Sequence, residues 1–307
     1  MINALPTLHR LDQRGLKNFR QNLSNKIVHS KLNHLERTET DSGLSLKMVL
    51  KGKEHYTIEG HQYQLQAGKY LLVNRHQIFE SHINCEQEEV VEGVCIYLDE
   101  AMVRDTLRTL TASHQELLEY PFDTETTQFQ FVEQTYSMDD PDLGACLKEV
   151  AAMVHRDPEE LPLTGDFIFR QIAEKLVISQ SRVRKQIAQI KTEKASTRWE
   201  LYRRLSLARQ YLDEHLAEKV ELKDVCRHAA LSESHFLRTF RQAFGISPYK
   251  YLIRKRLEVA ARMLETGNLT VSEVATRSGF SDIFSFSKAF KKAYAVSPSK
   301  WALFKTA

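Results

Sequence analysis

Two sets of side chains near the C-terminal end have the chemistry to hydrogen-bond a polyanion. Ser234, Leu237, Arg238 and Arg241 recur at spacings of three and four, and so do Phe284, Ser287, Lys288 and Lys291. On a helix, each set shares one face. Arg presents a flat fork that fits a guanine edge or a phosphate, whereas Lys acts as a point charge. We therefore expect Arg238 and its counterpart Lys288 to meet base edges or phosphates. Arg241 and Lys291 read as phosphate anchors, which position without specifying sequence. Leu237 and Phe284 are apolar on a face that should be wet. They either touch thymine methyl groups or pack against a neighbouring helix.

A second set could hold a metal. His55, His61, His76 and His82 lie close in sequence, with Glu54 and Glu80 beside them. A metal-bearing β-barrel enzyme of the cupin type needs an HxH pair with a later Glu and His. No HxH occurs in the chain, so surface or loop histidines are the better reading. Nor is there a GxSxG elbow, a Walker loop or a dinucleotide fingerprint, and no catalytic residue or cofactor is expected.

The basic faces belong to a unit written twice. LKDVCRHAALSESHFLRTFRQAFGISP runs from Leu222 to Pro248, and VSEVATRSGFSDIFSFSKAFKKAYAVSP from Val271 to Pro298. Leu222, Val225, Leu231 and Ser232 match Val271, Val274, Phe280 and Ser281. After a one-residue insertion, Phe236, Phe240, Phe244, Ser247 and Pro248 match Phe286, Phe290, Tyr294, Ser297 and Pro298. Such repetition sets the architecture. Each copy predicts a short amphipathic helix, a tight turn and a second helix whose aromatics, four apart, form a buried stripe. Ser232 and Ser281 are the expected N-caps of those second helices, and Thr270 with Glu273 forms a capping box. This is the layout of a helix-turn-helix, with units at about 221–244 and 270–294. Ser247-Pro248 opens a connecting helix running to about Glu265. At 1.5 Å per residue it is a rod of roughly 26 Å, carrying Arg254, Lys255 and Arg256 as candidate phosphate contacts.

These residues resemble the DNA-binding domain of the AraC/XylS family of bacterial transcription regulators. The resemblance rests on the twin units, the run Tyr251, Leu252, Arg256, Leu257, Ala260, Met263, Leu264, and the Gly279-Phe280 and Ser297-Pro298 pairs. It covers about the last 100 residues. Ala230 and Ala295 depart from it, standing where Gly is usual, and Ser285 replaces an aromatic. The two alanines predict strain of order 1 kcal/mol at positive-φ positions. The resemblance implies double-stranded promoter DNA as partner, contact with RNA polymerase, a homodimer, and a small cupin-like barrel that holds a small-molecule effector.

The rest of the chain fits that division. Residues 200–307 carry 19 Lys/Arg against 11 Asp/Glu, and residues 1–199 carry 24 against 29. The basic end suits a polyanion, whose counterions are released on binding. Cys85, Cys95, Cys146 and Cys226 form no CxxC pair, and no run of 18 apolar residues occurs. A reducing cytoplasm and no membrane span are expected. Residues 1–26 read as loosely ordered. From Ile27 to about Leu98, short apolar runs and Gly turns predict a sandwich or barrel, with period-two alternation over Leu44–Leu50 and two strands around the turns at Glu59-Gly60 and Ala67-Gly68. From Met102 onward helices follow, over Asp142–His155, Gly165–Ile190 and Trp199–His215, with loops at Asp157-Pro158 and Leu161-Pro162 and a polar linker over Lys191–Thr197. The Gly165–Ile190 stripe either packs on the barrel or forms a dimer seam.

The expected fold class is thus α+β: a regulatory, effector-binding domain over 1–162, a helical connector over 163–198 and an all-α DNA-binding domain over 199–307. The function expected is sequence-specific transcription regulation under small-molecule control, with activation implied by the family resemblance. Control by a partner protein, or a metal-cupin enzyme fused to a DNA-binding module, are the alternatives.

Overall fold

The computed structural model describes residues 7–15, 25–40, 42–84, 89–119, 130–140, 142–155, 161–192 and 194–305. Cys85 and the Asp157-Pro158 loop lie outside them. The chain forms two compact units, Met1–Val183 and Arg184–Ala307. The division falls inside the segment expected to be a connector.

The described strands of the first unit are β1 (Thr7–Leu11), β2 (Lys26–Leu32), β3 (His34–Glu39), β4 (Ser45–Lys51), β5 (Lys53–Ile58), β6 (His61–Gln66), β7 (Lys69–Val73), β8 (Phe79–Asn84), β9 (Val91–Tyr97) and β10 (Thr135–Ser137). They form a six-stranded sheet in the order β1-β2-β9-β4-β7-β10 and a four-stranded sheet in the order β3-β8-β5-β6. Between the sheets lies a core that includes Leu35, Val49, Tyr56, Leu65, Val73 and Phe79. The four-stranded sheet alternates buried and exposed residues along β5, β6 and β8, as expected of a sheet with one wet face.

Three local expectations are corrected. Thr7–Leu11 is a strand, paired parallel to β2; it has little local signal because the pairing partner, not the segment, makes it a strand. The stretch around the two turns holds three strands, β5 to β7. And β4 is buried along five consecutive residues, because both faces of the six-stranded sheet are covered.

The helices of this unit are α1 (Glu100–Thr111), α2 (His114–Glu119), α3 (Leu143–Met153) and α4 (Leu161–Ala188). Leu161-Pro162 is the start of α4 rather than a loop, since Pro is tolerated in a first helical turn. Within the unit, Gln180 of α4 accepts from the Val132 backbone N–H at 3.0 Å and donates to the Tyr136 hydroxyl at 3.0 Å. Tyr136 in turn stacks on Tyr70 of β7.

The second unit contains the end of α4 and then α5 (Ala195–Glu214), α6 (Leu222–Ala229), α7 (Glu233–Phe244), α8 (Pro248–Glu265), α9 (Val271–Arg277), α10 (Ile283–Tyr294) and α11 (Pro298–Lys305). Helix α5 begins within the expected polar linker. The N-terminal half of α8 serves the first helix-turn-helix, where Tyr251 packs edge-on against Phe240. Its C-terminal half serves the second, where Leu257, Ala260 and Leu264 meet Val274, Phe286 and Phe290.

Candidate nucleic-acid interface and interior pocket

The recognition faces follow from how α7 and α10 are seated. In α7, Phe236, Thr239, Phe240 and Ala243 are buried, and Ser234, Leu237, Arg238 and Arg241 are exposed. In α10, Phe286 and Phe290 are buried. Phe284, Lys288 and Lys291 are exposed, and Ser287 is partly so. Leu237 is 41 % and Phe284 83 % exposed, so Phe284 stands open to solvent and Leu237 is partly open. The structure thus brings all eight predicted side chains onto two open faces.

The one-residue insertion between the copies now has a physical reason. Helix α7 is capped by Ser232, whose hydroxyl makes no capping bond. Helix α10 is capped by Asp282, not by the expected Ser281. Its carboxylate accepts from the Ser285 backbone N–H at 2.7 Å, and that bond holds the carboxyl below its ordinary range. Moving the cap one residue on keeps Phe236 and Phe286 at the fourth position of their helices. Ser234 then corresponds to Phe284, and Leu237 to Ser287. Each face offers one hydroxyl and one large apolar group, with the places exchanged.

The turns are equally regular. Ala230 and Gly279 follow the first helices, and Gly245 and Ala295 follow the second, all four with positive φ. The Leu231 N–H reaches back to the Cys226 carbonyl, as the Phe280 N–H does to that of Ala275, which satisfies carbonyls left over at each helix end.

Two of the predicted rod residues behave differently. Arg254 is exposed, near Glu258 and over the Tyr251 ring. Arg256 is buried and is not available to phosphate. Its Nε donates to the Leu216 carbonyl at 2.8 Å and its Nη2 to that of Glu218 at 2.6 Å. Gly279 lies against the same seam: a Cβ there would stand 2.1 Å from the Leu216 oxygen and 2.8 Å from the Arg256 Nε. The loop after α5, the middle of α8 and the second turn are thereby locked together. Tyr251 adds a second tie, donating to the Asp213 carboxylate of α5 at 2.9 Å. Burial, and then that carboxylate, hold the phenol well above its ordinary range.

Sequence reasoning did not find the interior of the sandwich. A cavity of about 80 Å³ lies between the sheets, lined by Arg37, Glu39, Lys47, Glu54, Tyr56 and Tyr97 among others. The Lys47 ammonium sits 4.4 Å from the centre of the Phe79 ring. Glu54 is buried, and that burial raises its pKa. His55, His61 and His82 do not gather into a metal-holding cluster with these groups among the described residues.

Two helices with exposed basic faces share one frame, which is joined in sequence to a two-sheet domain with a cavity between its sheets. The model of a helix-turn-helix domain matches residues 225–303, and that of an AraC-like ligand binding domain matches residues 29–163. The chain belongs to the AraC/XylS family of transcription regulators. It is 35% identical over 94 residues to a probable transcriptional regulator, LumQ, of Photobacterium leiognathi, covering 31% of this chain and 38% of LumQ. It is 32% identical over 93 residues to the transcriptional activator AarP of Providencia stuartii, covering 30% of this chain and 69% of AarP. The C-terminal domain of AraT, a response regulator of Geobacillus stearothermophilus, is similar at 33% identity with a TM-score of 0.33, over 34% of this chain and 87% of that domain. These relatives are regulators. No described helix is long and apolar enough to cross a membrane.

Proposed function

We propose that this protein binds promoter DNA sequence-specifically through α7 and α10 and activates transcription. Its two-sheet domain answers to a small molecule held between the sheets. The observation that carries the reading is the pair of exposed basic faces on one locked frame. Helix α8, at 18 residues, is about 27 Å long, a fit to successive major-groove segments about 34 Å apart on one side of a duplex. Arg238 and Lys288 contact bases or phosphates, and Arg241, Lys291 and Arg254 phosphates alone. The cavity supports effector binding because it lies between the sheets and charged side chains line part of it, and it suits a small ligand with acceptor atoms for Lys47 and Arg37. The α4 stripe of Phe169, Ile172 and Leu176 is buried within the chain, which favours its packing role over a dimer seam, so pairing of two copies rests on the family resemblance. Effector binding then shifts the population toward the form that fits its sites. Activation is supported by the activator among the relatives, and contact with RNA polymerase is what the family resemblance implies.

Selection of bound duplexes from a random pool, at fixed salt, tests the reading. Enrichment of a site with two motifs about one helical turn apart is the expected outcome. On that site Arg238→Ala should weaken binding about tenfold or more, with the melting temperature unchanged. No enrichment by either the full chain or residues 195–307 would overturn the proposal.

A further inference from the structure

One cluster of potential ligands lies outside both the reading faces and the interior cavity. His29 of β2, Glu92 of β9 and His155, just beyond α3, present donor atoms all within 4.8 Å of one another. The His29 Nε2 is 2.7 Å and the His155 Nε2 3.7 Å from the same carboxylate oxygen, Oε1 of Glu92. The cluster is on the far face of the six-stranded sheet from the cavity. Val28, Ser30 and Leu32 line the cavity, so His29 and Lys31, alternating with them, point the other way.

We propose that His29, Glu92 and His155 form a binding site for a divalent transition-metal ion of the zinc type. Two imidazoles and one carboxylate are the donor set that zinc accepts. Calcium and magnesium favour all-oxygen shells instead. With bonds of about 2.0–2.1 Å, tetrahedral donors stand about 3.3 Å apart. The pair at 3.7 Å already meets that distance within a few tenths of an ångström, and the pair at 2.7 Å has only to open, replacing a hydrogen bond with two metal bonds.

The burial is graded in the way a metal site with an open position requires. The His29 side chain is 7% and that of Glu92 15% exposed, while His155 is 50% exposed. A cleft beside them, about 430 Å³ and bounded also by Arg10 and Asp12, leaves room for water in the fourth position. The competitor is Lys31, whose ammonium lies 3.3 Å from the same oxygen of Glu92. Its side chain is 56% exposed, so it can swing into solvent as the ion enters. A bound ion would join β2, β9 and the end of α3, whose last carbonyl at Val154 also accepts from Arg10. The three ligands are far apart in sequence, which is why no short motif announces them.

Zinc chloride titrated into the untagged, chelator-treated full chain tests the site. One equivalent should bind, raising the melting temperature, and calcium chloride should not replace it. His155→Ala changes a half-exposed side chain and should melt like the parent without metal, yet lose that equivalent or bind it at least about tenfold more weakly. Lys31→Met should bind zinc more tightly, because the competing ammonium is gone. No binding by the parent would overturn the assignment, and so would undiminished binding by both His155→Ala and Glu92→Gln. DNA affinity is not read in this experiment, so its result stands apart from the regulatory reading.

Discussion

Arg238 and Arg256 carry the same guanidinium and do opposite work. Arg238 projects from α7 into solvent, where its loss leaves no buried partner stranded. Arg256 is folded back onto two backbone carbonyls some forty residues away in sequence. Removing it leaves those carbonyls under-bonded, and bonds from a charged donor contribute about 1.5–3 kcal/mol each. Arg256→Ala should therefore destabilise the second unit by about 3 kcal/mol, seen as a lower denaturant midpoint for residues 184–307. A variant that melts normally and loses only DNA affinity would restore Arg256 to the phosphate contacts. The sequence showed both arginines on helices of the right kind. It could not separate them, because the carbonyls that claim Arg256 are brought there by the tertiary fold. His29, Glu92 and His155 were missed for the same reason, as were the groups around the cavity.

Among the elements, the helices of the second unit were the most legible. Aromatics four apart, the Thr270 and Glu273 box and Ser247-Pro248 are local signals, and each lies where it was expected. The cap of α10 was not, because Ser281 and Asp282 are both good caps and only the seating of Phe286 decides between them. The strands of the first unit were read less well. Buried on both faces, β4 loses its alternation, and β1 is defined by its pairing. The four left-handed positions in the two turns and two helix ends yield a prediction. Two are glycine, while Ala230 and Ala295 hold the same backbone against their Cβ atoms. Ala295→Gly should stabilise the unit by about 1 kcal/mol, measured as a rise in melting temperature with DNA affinity unchanged.

At the scale of the molecule, the split in charge between the two parts of the chain supports the proposed division of labour, and the repeat supports two proposed readers. That the readers are unlike follows from the structure: Ser, Leu, Arg and Arg face outward from α7, and Phe, Ser, Lys and Lys from α10. The selected site should hence contain two different motifs, not a palindrome, in a fixed order. Inserting about five base pairs between them turns one motif to the opposite side of the duplex. Binding should then fall more than about tenfold, as expected when one reader's contacts are lost; undiminished binding would show that the two readers move independently.

The seam at Gly279, Arg256 and Leu216 has a consequence for how such a regulator can change over generations. Side chains on the open faces can be exchanged singly, because nothing in the fold leans on them, so the letters of each word are free to drift. The gap between the words is not free in the same way. Lengthening α8 by one residue would turn everything after it by about 100° and pull Arg256 off its carbonyls. A new spacing therefore requires several coordinated changes at once, and target sites should diverge in spelling long before they diverge in spacing.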